Sequence, residues 1–159
     1  MSNILTILNT LEELETGMRD LYEWLSRHFE GEPELARFFR KLSSEEEAHA
    51  GLVRYQKRLV RQNPDSIEDV SADLEEIREV IGLVLGYLDR KPDMTPHQAL
   101  KLAMDLESLD EERLYRNVIL ETLPDLESLI QNLTRNDEAH VQDLEAFISD
   151  YTDGKGLQV

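Results

Sequence analysis

The run Glu46-Glu47-Ala48-His49 has a near copy at Asp137-Glu138-Ala139-His140. Each copy places a carboxylate three residues before an imidazole, so on a helix both side chains leave one face. That is the spacing with which carboxylate-bridged metal pairs are built inside helix bundles. With 34 acids among 159 residues, an acid three positions before a given histidine is expected about one time in five, so either copy alone says little. The repetition says more. His49 and His140 lie 91 positions apart, as do Glu46 and Asp137, and Glu15 and Glu107 lie 92 apart, so each half of the chain supplies one helix hairpin with the same equipment.

The apolar stripes reinforce this reading. On the first long helix the seam runs Leu8, Leu11, Glu15, Met18, Tyr22, Leu25, Phe29, and on the second Leu35, Phe38, Leu42, Glu46, His49, Val53. The third gives Leu100, Ala103, Glu107, Glu111, Leu114, Val118, and the fourth Leu126, Leu129, Leu133, Asp137, His140, Leu144, Phe147. Every stripe carries ionisable groups near its midpoint. An ionised carboxylate in an apolar interior costs several kcal/mol unless it is paired, protonated or metal-bound. Two divalent cations balance four carboxylates, and two neutral histidines complete the shell. Outside these positions the expectations are plainer. Glu12 is read as solvated, His28 as a cation at a helix C-terminus, and His97 as a surface residue in a first turn. Trp24 and Phe38-Phe39 are packing, and Tyr22 is a core filler or a hydrogen-bond partner of the centre.

The elements that must position these groups follow from composition and punctuation. Glycine and proline are scarce (7 and 5 residues), and Leu, Glu, Arg and Ala dominate, which makes an all-α chain. The first helix is expected over about 2–29, ending at Gly31, and the second from near Glu32-Pro33 to a point before the loop Asn63-Pro64-Asp65-Ser66. A shorter crossover helix begins after Ser71 as N-cap and reaches about Asp89. Thr95-Pro96-His97-Gln98 is a capping box opening the third helix, which ends near Glu121, and the fourth runs from Thr122-Leu123-Pro124-Asp125 to about Asp150. The expected architecture is one four-helix bundle over 1–151 with a flexible tail over 152–159.

Composition bounds the rest. The chain has no cysteine, so disulfides, thiolate zinc, iron–sulfur clusters and Cys-x-x-Cys modules are excluded and any metal is bound through oxygen and nitrogen. A formal charge of −17, from 17 basic and 34 acidic residues, argues against nucleic acid and anionic membranes and favours cations. No apolar run approaches the roughly 20 residues of a bilayer span, and Met1-Ser2-Asn3-Ile4 lacks a basic signal start, so a cytoplasmic location is expected.

With these residues in view, the chain resembles the ferritin-like superfamily and, within it, the di-iron domain of rubrerythrins. The resemblance spans residues 5 to 150. It rests on the order Glu15, Glu46/His49, Glu107 and Asp137/His140, matching the family's Glu, Glu-x-x-His, Glu, Glu-x-x-His, and on Tyr22, similar to an aromatic that follows the first ligand. Two departures stand out: Asp137 is one methylene shorter than the usual Glu, and Asp110 or Glu111 could share or take the part of Glu107. The resemblance implies a centre of two Fe ions that reacts with dioxygen or peroxide in a ferroxidase or peroxidase role, and a carboxylate-rich shell with two imidazoles favours Fe, with Mn or Zn as alternatives. It also implies an external electron donor, rubredoxin-like or a flavoprotein, because no cysteine module is present. A homodimer is left open. The competing expectation is a helical scaffold or interaction protein that keeps the bundle without catalysis.

Overall fold

The computed structural model describes residues 2–62, 69–70, 74–108 and 142–153. The described elements are α1 (Ile4–His28), α2 (Pro33–Gln62), α3 (Leu74–Arg90), α4 (Pro96–Glu107) and α5 (142–153), with a two-residue antiparallel pairing of β1 (Ser2–Asn3) with β2 (Asp69–Val70). The chain is all-α as expected; the short pairing was not foreseen, since two residues leave no periodic signal. Among the described residues no helix is long and apolar enough to cross a membrane.

The chain divides into two compact units, Met1–Asp93 and Met94–Val159. In the first, Asn3 caps α1, its side chain accepting from the Leu5 N–H at 2.8 Å. This moves the helix start two residues past the expected one. Tight backbone bonds across residues 29–32, Phe29 N–H to Leu25 O and Glu32 N–H to Phe29 O, turn the chain back into α2, where Pro33 sits in the first turn and lacks only an N–H that no helix needs there.

The predicted seams are buried: Leu8, Leu11, Met18, Tyr22, Leu25 and Phe29 on α1, and Leu35, Phe38, Leu42, Glu46 and Val53 on α2. α1 buries a second stripe as well, Ile7, Leu14 and Leu21, because it packs against α3 in addition to α2. Gly17 marks the close approach, with a Cβ built there meeting Val84 Cγ1 at 3.4 Å. The segment read as a crossover therefore contributes to the core of the first unit. It begins at Leu74, so the Ser71 cap lies outside the described residues, and it ends at Arg90, followed by Lys91 at φ 43°.

In the second unit the capping box of α4 is present in full, Thr95 Oγ1 accepting from Gln98 N–H at 3.2 Å and Gln98 Oε1 accepting from Thr95 N–H at 3.0 Å. α4 is described to Glu107, with the Ser108 N–H still donating to Met104 O at 3.0 Å. The expected continuation to Glu121 and the start of the following helix lie outside the described residues. α5 runs to residue 153 rather than stopping near Asp150, and Tyr151 in this last turn is buried and stacks on Phe147 at 5.8 Å.

Candidate metal centre

Antiparallel packing of α1 on α2 brings the midpoints of their two seams together. His49 Nδ1 lies 3.5 Å from Glu15 Oε2 and 3.5 Å from Glu46 Oε2. Glu46 is almost wholly buried, its side chain 3% exposed, whereas Glu15 and His49 keep about one-seventh of their side-chain surface. One ligand atom from each of the three lies within 4.8 Å of the others. Two donors each about 2.1 Å from a shared cation stand roughly 3.0 Å apart at a right angle and roughly 3.4 Å apart at a tetrahedral one. The spacing of these three groups thus fits a single ion, and a set of two carboxylates and one imidazole suits Fe, Mn or Zn.

Of the other sequence candidates, Glu107 is described and buried at 8% exposure on α4, one turn after the fully buried Ala103. Asp137, His140, Asp110 and Glu111 lie outside the described residues. Tyr22 is completely buried seven positions after Glu15 and stacks on Phe39 at 6.3 Å. His28 closes α1, its Nε2 3.4 Å from Asp93 Oδ1, and His97 is half-buried in the first turn of α4.

One expectation is corrected. Glu12 is not simply solvated: its side chain is 22% exposed and is held by Lys57 Nζ and by Arg54 Nε at 2.9 Å. Arg54 also reaches Glu47 Oε1 at 3.3 Å, and Arg19 binds Glu47 Oε2 at 2.5 Å and Asp20 Oδ1 at 2.9 Å. The hydrogen bond from Lys57, with Arg54 beside it, lowers the Glu12 carboxyl below its ordinary range against the opposing effect of burial. Arg19 does the same, first among the causes, for Glu47. This lattice ties α1 to α2 along the flank of the triad, and Ser43 Oγ donating to Arg19 O at 2.9 Å adds a further tie. A sequence signal existed: Glu12 and Arg19 are seven residues apart, as are Glu47 and Arg54, the spacing of charges that border a seam and pair across it.

No curated protein and no solved structure matches the chain significantly. The family model for rubrerythrin does, over residues 7–148. That span includes both Glu/Asp-x-x-His motifs of the sequence together with Glu15 and Glu107, and with it the chain belongs to the rubrerythrin family, a ferritin-like family of di-iron proteins.

Proposed function

We propose that the protein is a di-iron oxidoreductase of the ferroxidase or peroxidase type, oxidising Fe²⁺ with O₂ or H₂O₂. The observation that carries the reading is the convergence of Glu15, Glu46 and His49, one ligand atom of each within 4.8 Å of the others, between apolar seam neighbours of α1 and α2. Glu107, Asp137 and His140 complete the proposed donor set, with Asp110 and Glu111 as alternates to Glu107. Bound there, paired iron supplies the one-electron steps that reduction of O₂ or peroxide requires.

The chain's own residues set the conditions. Glu46 is held nearly dry between the helices, so its carboxylate attracts a cation more strongly than a hydrated one would. Glu15 and His49 retain a little solvent access, which leaves a way in for small ions and oxidants. Leu11 and Met18, the seam neighbours of Glu15, and Leu42 and Val53, those of the Glu46/His49 pair, are buried and limit water at the centre. The Glu12–Lys57–Arg54–Glu47–Arg19 lattice fixes the axial register of α1 against α2 and so keeps Glu15 at its distance from His49. A charge of −17 draws cations towards the protein. With no cysteine and no glycine-rich nucleotide motif, repeated turnover takes its electrons from an external rubredoxin-like or flavoprotein donor, in the cytoplasm.

Anaerobic addition of Fe²⁺ to metal-free protein, followed by air, tests the reading. Near-ultraviolet ferric absorption should develop faster than background oxidation, with two metals per chain by elemental analysis. The His49→Ala, His140→Ala double variant should lose both. Background-rate oxidation and no bound metal in the wild type would leave the scaffold reading in its place.

A further inference from the structure

We propose that the outer stripe of α3, formed by Glu76, Val80, Leu83, Tyr87 and Arg90, is a self-complementary docking surface on which a second copy of this chain pairs antiparallel, about a two-fold axis at Leu83. The surface is independent of the oxidoreductase reading and belongs to the protein with or without metal.

α3 carries two seams where packing on one neighbour needs one. Leu74, Ile77, Ile81 and Val84 form the first; all four are buried, α3 packs on α1, and Val84 faces Gly17 there. About 100° round the helix, Glu76, Val80, Leu83, Tyr87 and Arg90 form the second, spaced 4, 3, 4 and 3 like the seam of a helix pair. Glu76 and Arg90 at its ends are exposed, Val80 and Tyr87 are partly exposed, and Leu83 keeps 48% of its surface. A single exposed leucine needs no explanation. Three apolar residues in heptad register are different, because they leave a continuous apolar strip about 10 Å long in water.

The charges identify the occupant. Glu76 and Arg90 each lie seven positions from Leu83, so turning the stripe end for end exchanges acid for base and returns apolar to apolar. A second copy laid antiparallel therefore sets each Glu76 opposite Arg90 of the partner subunit, giving two ion pairs about 21 Å apart with the two Leu83 side chains between them. Parallel pairing would set acid on acid and base on base, which is unfavourable. Arg90 already lies along the stripe, its guanidinium 5.7 Å from the Tyr87 ring centroid and its Nε donating to Gly86 O at 3.2 Å, so it has less side-chain freedom to lose on pairing. Gly86 leaves room for it, since a Cβ there would stand 3.5 Å from Arg90 Nη2. One pair of helices about 25 Å long makes a small interface, so the two copies exchange with free chains in a concentration-dependent equilibrium.

Sedimentation equilibrium of the metal-free full-length chain tests this, in about 0.15 M salt so that the charge of −17 on each copy is screened beyond about 8 Å. Over two decades of protein concentration the average mass should climb from that of one chain and level off at that of two. Leu83→Lys, which puts a charge on the axis, should hold the protein monomeric, whereas Leu85→Lys, similarly exposed at 46% but about 200° round the helix, should not. Arg90→Glu and Glu76→Arg should each weaken pairing by roughly tenfold or more, although the second lowers the overall charge, and the two together should restore it. Circular dichroism of every variant checks that the helices remain. A monomer at all concentrations overturns the proposal and leaves the face to a different protein. So does a mass that climbs past two chains, pairing that Leu83→Lys leaves intact, or a double variant that pairs no more tightly than the single ones.

Discussion

Replacing Glu46 by glutamine separates the cost of the polar layer from its use. The side chain is 3% exposed, so the substitution keeps shape and removes a charge that has lost nearly all its hydration. In metal-free protein the amide should cost nothing and can gain, because an ionised carboxylate in such a place is expensive and Glu15 remains 3.5 Å from His49 Nδ1 to pair with it. With metal the sign reverses. A ligand at a hundred times its Kd stabilises the native state by about 2.7 kcal/mol. For a chain of 159 residues, at about 2–4 °C per kcal/mol, that is a rise in Tm of roughly 5–11 °C. Thermal unfolding followed by circular dichroism under argon, with and without Fe²⁺ or Mn²⁺, reads both quantities. The variant should melt at or above the wild type when metal-free and should lose most of the metal-induced rise, whereas Glu23→Gln on the surface should keep it. An undiminished rise in Glu46→Gln would refute the assignment of Glu46 as a donor.

Other consequences can be checked in the same preparations. Because folded-state values for Glu12 and Glu47 are lowered from the ordinary 4.5, the unfolded chain takes up protons first as pH falls; their stabilisation is whole above 4.5 and is lost as pH drops through the lowered values. Glu12→Gln should flatten that part of a Tm–pH profile, by about 1 kcal/mol or less for the partly shielded Glu12–Lys57 pair. Gly17→Ala, whose Cβ would stand 3.4 Å from Val84 Cγ1, should raise stability by up to about 1 kcal/mol by removing a helical glycine, whereas Gly17→Leu should lower it by forcing α3 off α1; denaturant midpoints decide. Gln56 is buried and its Oε1 has no hydrogen-bond partner, so Gln56→Met should stabilise by about 1–2 kcal/mol in the same titrations.

What could be read from the residues was what local rules govern. Pro33 and the Thr95–Gln98 box set helix starts within a few covalent bonds, and the seam through Leu8, Leu11, Glu15, Met18 and Tyr22 needs only a 3.6-residue period to place Glu15 on the core-facing side of α1. The meeting of Glu15 with Glu46 and His49 followed from two seams with polar midpoints. The second buried stripe of α1, Ile7, Leu14 and Leu21, was not legible, because α1 packs on α3 as well as on α2 and the partner of an apolar face is decided by tertiary packing. Glu12 was misjudged for a related reason. On its own helix it borders the solvent side, and its shielding comes from Lys57 and Arg54, more than 40 positions along the chain.

The triad is also a product of short-range chain closure. Glu15 and Glu46 are separated by 31 positions and joined through the tight reversal at 29–32, so they meet as soon as the first hairpin forms. Closing a loop costs about 0.6 kcal/mol more for every doubling of its length, and a carboxylate as distant in sequence from Glu15 as Glu107, 92 positions on, bears roughly 1 kcal/mol more. The two halves of the proposed donor set therefore differ in when the chain can supply them. A nascent or partly refolded chain presents the three groups of Glu15, Glu46 and His49 first, and early capture of a cation there would favour the hairpin over its open forms, making the metal an aid to assembly.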